Sequence, residues 1–401
     1  FMRNDMESDL SFRSELVYQL REGLDLSCGL TAKYIHLNYD NWFENRPVKL
    51  FGYSLDVNED FQLISEEEFY ATYFENPNTV LTVLGMVGEL DSIKTNRVLN
   101  FKKLGGFFHI NWIPMPKTEL LLGGRLDYIS FTKTSNMSPR FGMKYHLSQF
   151  VKFNLSAGRY YQTPFNNQLN SNRGYTEYLR NYFTDQWCGG IEYLPKSDLR
   201  ITLEYYEKEY EDMVIFEILR GSNGKDSLNF NKLINGGQGR SKGIELFIQK
   251  KYSQNWYGSI SWSHSISEGV DPRTNLFYPW DFDYRNVINI VGGYKIRYAD
   301  YSWFKSYKNS WVSKGFSWLP FMPSDEFEIS IKYRMMGGRP YTPLHYDPTT
   351  RDWYSNSDSP WNTSRYGYYS RLDLMLLQRF HFKRLNLVVF WDIINILNRE
   401  N

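Results

Sequence analysis

The chain has 401 residues, 18% of them aromatic, with a formal net charge of +1 and a mean hydropathy of −0.54. The balanced charge points to no polyanionic partner, and no stretch approaches the roughly 20 apolar residues that a spanning helix needs. Cys28 and Cys188 lie far apart, and the six histidines show no paired spacing, so neither a metal centre nor a disulfide framework is implied. A hydrophilic chain rich in aromatics fits a transmembrane barrel, whose strands hide every second residue in lipid. It fits equally a soluble all-β protein such as a carbohydrate-binding sandwich.

Alternation with a period of two runs the length of the chain. Phe12, Leu16, Tyr18 and Leu20 alternate with Arg13, Glu15 and Gln19. After a turn at Arg21-Glu22-Gly23, Leu26, Cys28, Leu30, Ala32 and Tyr34 alternate with Ser27, Gly29, Thr31 and Lys33. The same pattern returns at 108–112, 120–128, 141–145, 151–158, 186–193, 201–205, 244–249, 256–263, 327–332, 371–376 and 386–393, and less cleanly at Val287-Ile288-Asn289-Ile290. This gives about fourteen strands, most near the ~9–11 residues that cross a bilayer at a tilt.

The polar face mixes Gly, Ser, Thr, Asn, Arg, Asp and Glu, as suits an enclosed wet interior. Connections alternate by parity. Short links sit near Arg21–Gly23, Pro116–Thr118, His146–Gln149, Pro195–Asp198, Ser253–Asn255 and Lys383–Arg384. Long ones are expected outside, at about 40–98, 162–180, 212–238, 266–282 and 337–369, with one intervening loop, near Lys133–Ser138, that is short. A sandwich has no reason to sort its loops this way, whereas a barrel keeps tight turns on the periplasmic side and long loops outside. The segment 297–325 is long on the short-turn side. Trp303, Lys305, Lys308, Trp311, Lys314 and Trp318 within it suit an aromatic and basic insertion at the membrane interface.

Residues 138–398 carry a series of short motifs in a characteristic order. They are Ser138-Pro139-Arg140-Phe141-Gly142, Gly158-Arg159-Tyr160-Tyr161-Gln162-Thr163-Pro164-Phe165, Gly239-Arg240-Ser241-Lys242-Gly243-Ile244-Glu245-Leu246, Trp280-Asp281-Phe282-Asp283-Tyr284-Arg285-Asn286, Gly338-Arg339-Pro340-Tyr341-Thr342-Pro343, Arg371-Leu372-Asp373 and Asp392-Ile393-Ile394-Asn395-Ile396-Leu397-Asn398. Order and spacing together resemble the β-barrel of TonB-dependent outer-membrane receptors, particularly those of Bacteroidetes-type bacteria. The resemblance implies an all-β fold: a transmembrane antiparallel barrel of 22 strands, of which residues 1–401 are an incomplete portion. No leader, plug or aromatic-ended last strand is recognisable, so an internal fragment is expected.

The resemblance further implies import of a scarce nutrient (siderophore, haem, cobalamin, glycan or peptide) through a plugged barrel, with no enzymatic activity and no cofactor. The implied partners are a TonB-ExbB-ExbD complex acting through the plug, outer-membrane lipid and a surface lipoprotein. A passive porin-like channel is the alternative. The residues do not offer the dyad a catalytic barrel would need, since His264 has the opposite parity from Ser263 and Ser265. The ligand surface is expected on the aromatic long loops, at Tyr161, Gln162, Arg173, Tyr341, Trp353 and Trp361, with Trp42, Phe43, Tyr53, Phe69, Tyr70 and Tyr73 in the first of them. Flat rings of this kind stack on sugars, haem or catecholates. Glu245, Arg371 and Asp373 are expected on the polar side, as wall ion pairs or contacts to a plug.

Overall fold

A computed structural model describes residues 2–43, 51–53, 62–64, 93–169, 178–220, 227–316, 319, 322–347, 352–354 and 361–400. Fourteen long strands follow one another in one antiparallel sheet, each paired with its neighbours in sequence. They are β1 (Met2–Arg21), β2 (Leu24–Phe43), β3 (Ile93–Met115), β4 (Thr118–Ile129), β5 (Thr134–His146), β6 (Val151–Gln162) and β7 (Tyr182–Lys196). The series continues with β8 (Leu199–Leu219), β9 (Ser227–Ser253), β10 (Trp256–Asp271), β11 (Asn286–Ile296), β12 (Glu326–Met336), β13 (Tyr369–His381) and β14 (Asn386–Ile393). The expected number of strands and their antiparallel order are thus observed. Among the described residues β1 and β14 remain edges.

Register fixes the two faces. Glu15, Gly29, Phe107 and Arg125 stand side by side, as do Glu204, Glu245 and Ser263. The opposite face aligns Leu203, Leu246 and Trp262, and its Leu10, Phe12, Leu16, Leu30, Leu126 and Ile260 are exposed. A row of bare apolar side chains is stable only against hydrocarbon, so this is the lipid face. Pairing on both sides satisfies the backbone donors of the inner strands, which is why strands rather than loops can stand there.

The short turns fall where the alternation expects them, and strand lengths are uneven. β3, β8 and β9 have 23, 21 and 27 residues, whereas β4, β6 and β13 have 12, 12 and 13. β8 and β9 run through much of the stretch expected as a loop over 212–238, leaving only residues 220–226 between them. A bulge after Tyr210, with Asp212 at φ 59, lets β8 bend and continue. The segment 297–325 contains two short helices, α1 (Ser302–Asn309) and α2 (Trp311–Phe316).

Candidate functional site

The concave face is a wall of polar side chains that largely neutralise one another. Lys33 pairs with Asp9, Arg125 with Asp127 at 2.7 Å, Lys144 with Glu119 at 3.3 Å, and Arg371 with Asp373 at 2.7 Å. Glu192 bridges Lys152 at 3.1 Å and Arg200 at 2.8 Å. Tyr257 donates to Glu328 at 2.7 Å, and a column of serines at 259, 261, 263, 265 and 267 lines β10. Like charges also meet on this face. Glu204 and Glu245 are direct cross-strand neighbours, and among the described residues no cation pairs with either. Like charges directly opposite each other repel, so this spot favours a positively charged occupant.

Residues 163–169 and 178–181 form a strap against the ends of the strands that lie away from the short turns. The chain after β6 turns inward, and Lys103 on β3 donates to the Thr163 hydroxyl at 3.1 Å. Asn166 donates to Glu7 on β1 at 3.0 Å. On the return leg, Asn235 on β9 accepts from the Arg180 backbone at 2.7 Å and donates to its carbonyl at 3.1 Å. Between these anchors Leu169 is 0% exposed and Leu179 is 2% exposed. They join Ile35 and Leu37 of β2, Phe101 of β3, Ile129 of β4 and Leu233 of β9 in one apolar cluster. The wall is therefore apolar at its mouth on the concave side, where it receives the strap. Leu169→Ala together with Leu179→Ala should release it, each truncation costing ~2–5 kcal/mol. Proteolytic cleavage within 163–181 is expected to accelerate while the strands stay protected.

The ends of β10 to β13 away from the short turns are tied by a second construction. Asp283 is fully buried and pairs with Arg285 at 2.9 Å and Arg365 at 2.6 Å. It also accepts from the Ser267 backbone at 3.2 Å. Buried Asp271 holds Arg273 at 2.6 Å, whose guanidinium lies 4.4 Å from the Trp361 ring centre. Trp361 meets Tyr278 edge-on at 5.0 Å. Burial, reinforced by the charges of Asp271 and Asp281, pushes the Tyr278 hydroxyl above its ordinary range. Asn362 donates to the Pro279 carbonyl and to Asp281, both at 2.8 Å. The Trp280 indole occupies the space that side chains at Gly239 and Gly269 would fill, and meets Tyr210 at 5.1 Å. Those two glycines admit the ring because neither carries a Cβ.

The expected ligand residues are thus distributed. Tyr341 and Trp361 belong to this knot, Tyr341 packing on Tyr366 at 4.4 Å. Tyr161 faces outward beside Phe183 at 5.4 Å, and Gln162 ends β6 on the concave side opposite Tyr182. Trp353 has only its backbone described, in a short ladder with 345–347. Arg173, Phe69, Tyr70 and Tyr73 lie outside the described residues. Glu245, Arg371 and Asp373 do face the interior. The strap residues Leu169 and Leu179 carried no sequence signal, because their partners are wall leucines and isoleucines read as strand.

A family model described as "TonB dependent receptor-like, beta-barrel" matches residues 4–396. No curated protein sequence matches the chain. Among solved structures, the outer membrane transporter YddB from Escherichia coli is similar with a TM-score of 0.60 at 12% identity, covering 99% of this chain and 51% of that one. The ferripyoverdine receptor of Pseudomonas aeruginosa gives 0.60 at 13% identity, with 99% and 45% covered. The copper transporter OprC gives 0.58 at 13% identity, with 99% and 51% covered. The chain therefore spans about half the length of the solved structures it matches.

Proposed function

Because the chain belongs to the TonB-dependent receptor β-barrel family, and so lies in the outer membrane, we propose that it forms part of an active importer of a scarce nutrient. The observation that carries the reading is the family match along the whole concave wall, joined to a wall that leaves Glu204 and Glu245 facing inward with a place for a cationic occupant. A plug would fill that place. Work would come from the inner membrane through a TonB-ExbB-ExbD complex, and a surface lipoprotein would assist capture. The knot around Asp283 would hold the outer loops in one arrangement, so that a ligand meets a preformed surface.

Siderophores, haem, cobalamin, glycans and peptides are the candidate cargoes. Iron chelates are the first to test, since one similar structure holds ferripyoverdine and others are ferric enterobactin receptors. The deciding experiment measures labelled cargo in cells that carry or lack the full-length gene, with and without a protonophore. Binding to the cell surface should survive the protonophore and accumulation should vanish. Accumulation that persists without proton-motive force would instead establish a passive channel. The in-folded strap also suits that second reading, because it narrows the mouth without any plug.

A further inference from the structure

We propose that the insertion between β11 and β12, at its described residues 297–316, 319 and 322–325, is a lipid anchor embedded in the periplasmic leaflet of the outer membrane, with its lysines set against phospholipid phosphates. Its position comes from β13, whose outer face points to lipid. Near the short turn at 382–385 that face turns unexpectedly polar and covered. Gln378 is 0% exposed, and its amide donates to the carbonyls of Leu319 at 2.9 Å and Met322 at 2.8 Å. Leu376, one step higher on the same face, is 1% exposed, and Phe327 and Phe380 are buried too. The insertion therefore lies on the lipid side of the wall, at its periplasmic end, rather than in the lumen.

Polar ties hold it there. Lys308 donates to Asp325 at 2.6 Å and to the His381 carbonyl at 3.2 Å, while the His381 backbone donates to Asp325 at 2.8 Å. Phe304 is the buried residue of α1, ringed by Tyr298, Trp303 and Tyr307. The side turned away from the wall is aromatic: Trp311 is 76% exposed, and Trp303, Tyr301 and Phe316 are exposed as well. Lys305 and Lys314 stand exposed among them, and no acidic residue occurs between Tyr301 and Ser324. Exposed Trp and Phe beside unopposed lysines match the depth profile of a bilayer interface, with rings at the acyl boundary and ammonium groups at the phosphates. A single occupant, the phospholipid leaflet, satisfies both halves of this chemistry.

The test uses full-length protein, with Cys28 and Cys188 replaced by serine, reconstituted in vesicles of phosphatidylethanolamine and phosphatidylglycerol. Spin labels at Trp311→Cys and, separately, Phe316→Cys are compared with one at Lys196, beside a tight periplasmic turn. The two insertion labels should collide with oxygen several-fold more often than with a water-soluble nickel reagent, and the Lys196 label should do the reverse. Lys305→Glu with Lys314→Glu should shift the Trp311 label outward, and further in these anionic vesicles than in pure phosphatidylcholine, whose phosphate is balanced by choline. Heat-modifiable gel mobility checks that each variant is folded. Insertion labels as open to nickel as the Lys196 label would overturn the proposal. So would labels that become protected only when periplasmic proteins are added, which would assign the surface to a protein partner.

Discussion

Leu203→Arg should destabilise the protein by ~2–4 kcal/mol, the cost of a cation on the lipid face near the bilayer midplane. Leu203 sits four residues above the start of β8, flanked across the ladders by Ile191 and Leu246, and it is exposed. Its neighbour Glu204 points the other way. Glu204→Arg should change stability by less than about 1 kcal/mol, since lumen positions tolerate charge and the new cation would face Glu245. Urea titration of the full-length protein folded into vesicles measures both. Equal losses, or a larger loss for Glu204→Arg, would mean that the two faces are assigned the wrong way round.

Asp283→Ala should open the outer loops without unfolding the wall. The carboxylate is buried, and its removal leaves Arg285 and Arg365 without their shared partner. Breaking a buried pair by deleting one member costs ~3–5 kcal/mol, mostly because the remaining charges lose compensation. The loss is local, because these bonds join loops rather than strands. Amide exchange over 276–285 and 361–366 is expected to rise at least about a hundredfold, while β12 and β13 keep their protection. If the loops do open, cargo binding should weaken in the same variant. Unchanged exchange would show that Asp283 does not hold the knot together.

Strand number and face assignment were legible in the sequence because, over most of the wall, lipid and lumen impose opposite chemistry on consecutive residues. Legibility fails where that contrast fails. At the mouth, Ile35, Leu37, Phe101 and Ile129 are apolar on the concave side because they receive Leu169 and Leu179. Beyond the bulge in β8, Val214 and Phe216 pack against the same cluster, so the alternation blurs and 212–238 reads as loop. β11 reads poorly for a related reason: Val287 and Val291 line the concave face while Ile288 and Ile290 face lipid. The knot was hidden differently. Asp283 and Arg365 are 82 positions apart, and no local period connects them. The motifs that contain Trp280, Asp283 and Tyr341 supply the knot, and two of the residues expected at a ligand surface, Tyr341 and Trp361, pack there on Tyr366 and Tyr278.

Uneven strand length shapes the way in. At ~3.4 Å per residue and a tilt of about 40°, 27 residues of β9 climb about 70 Å, 12 residues of β6 about 30 Å, and the apolar band is only about 25 Å tall. The rim is therefore a parapet from β1 to β3 and at β8 and β9, and a low sill from β4 to β6. Approach to the concave face is least obstructed over the sill, while the longer strands rise well clear of the membrane surface.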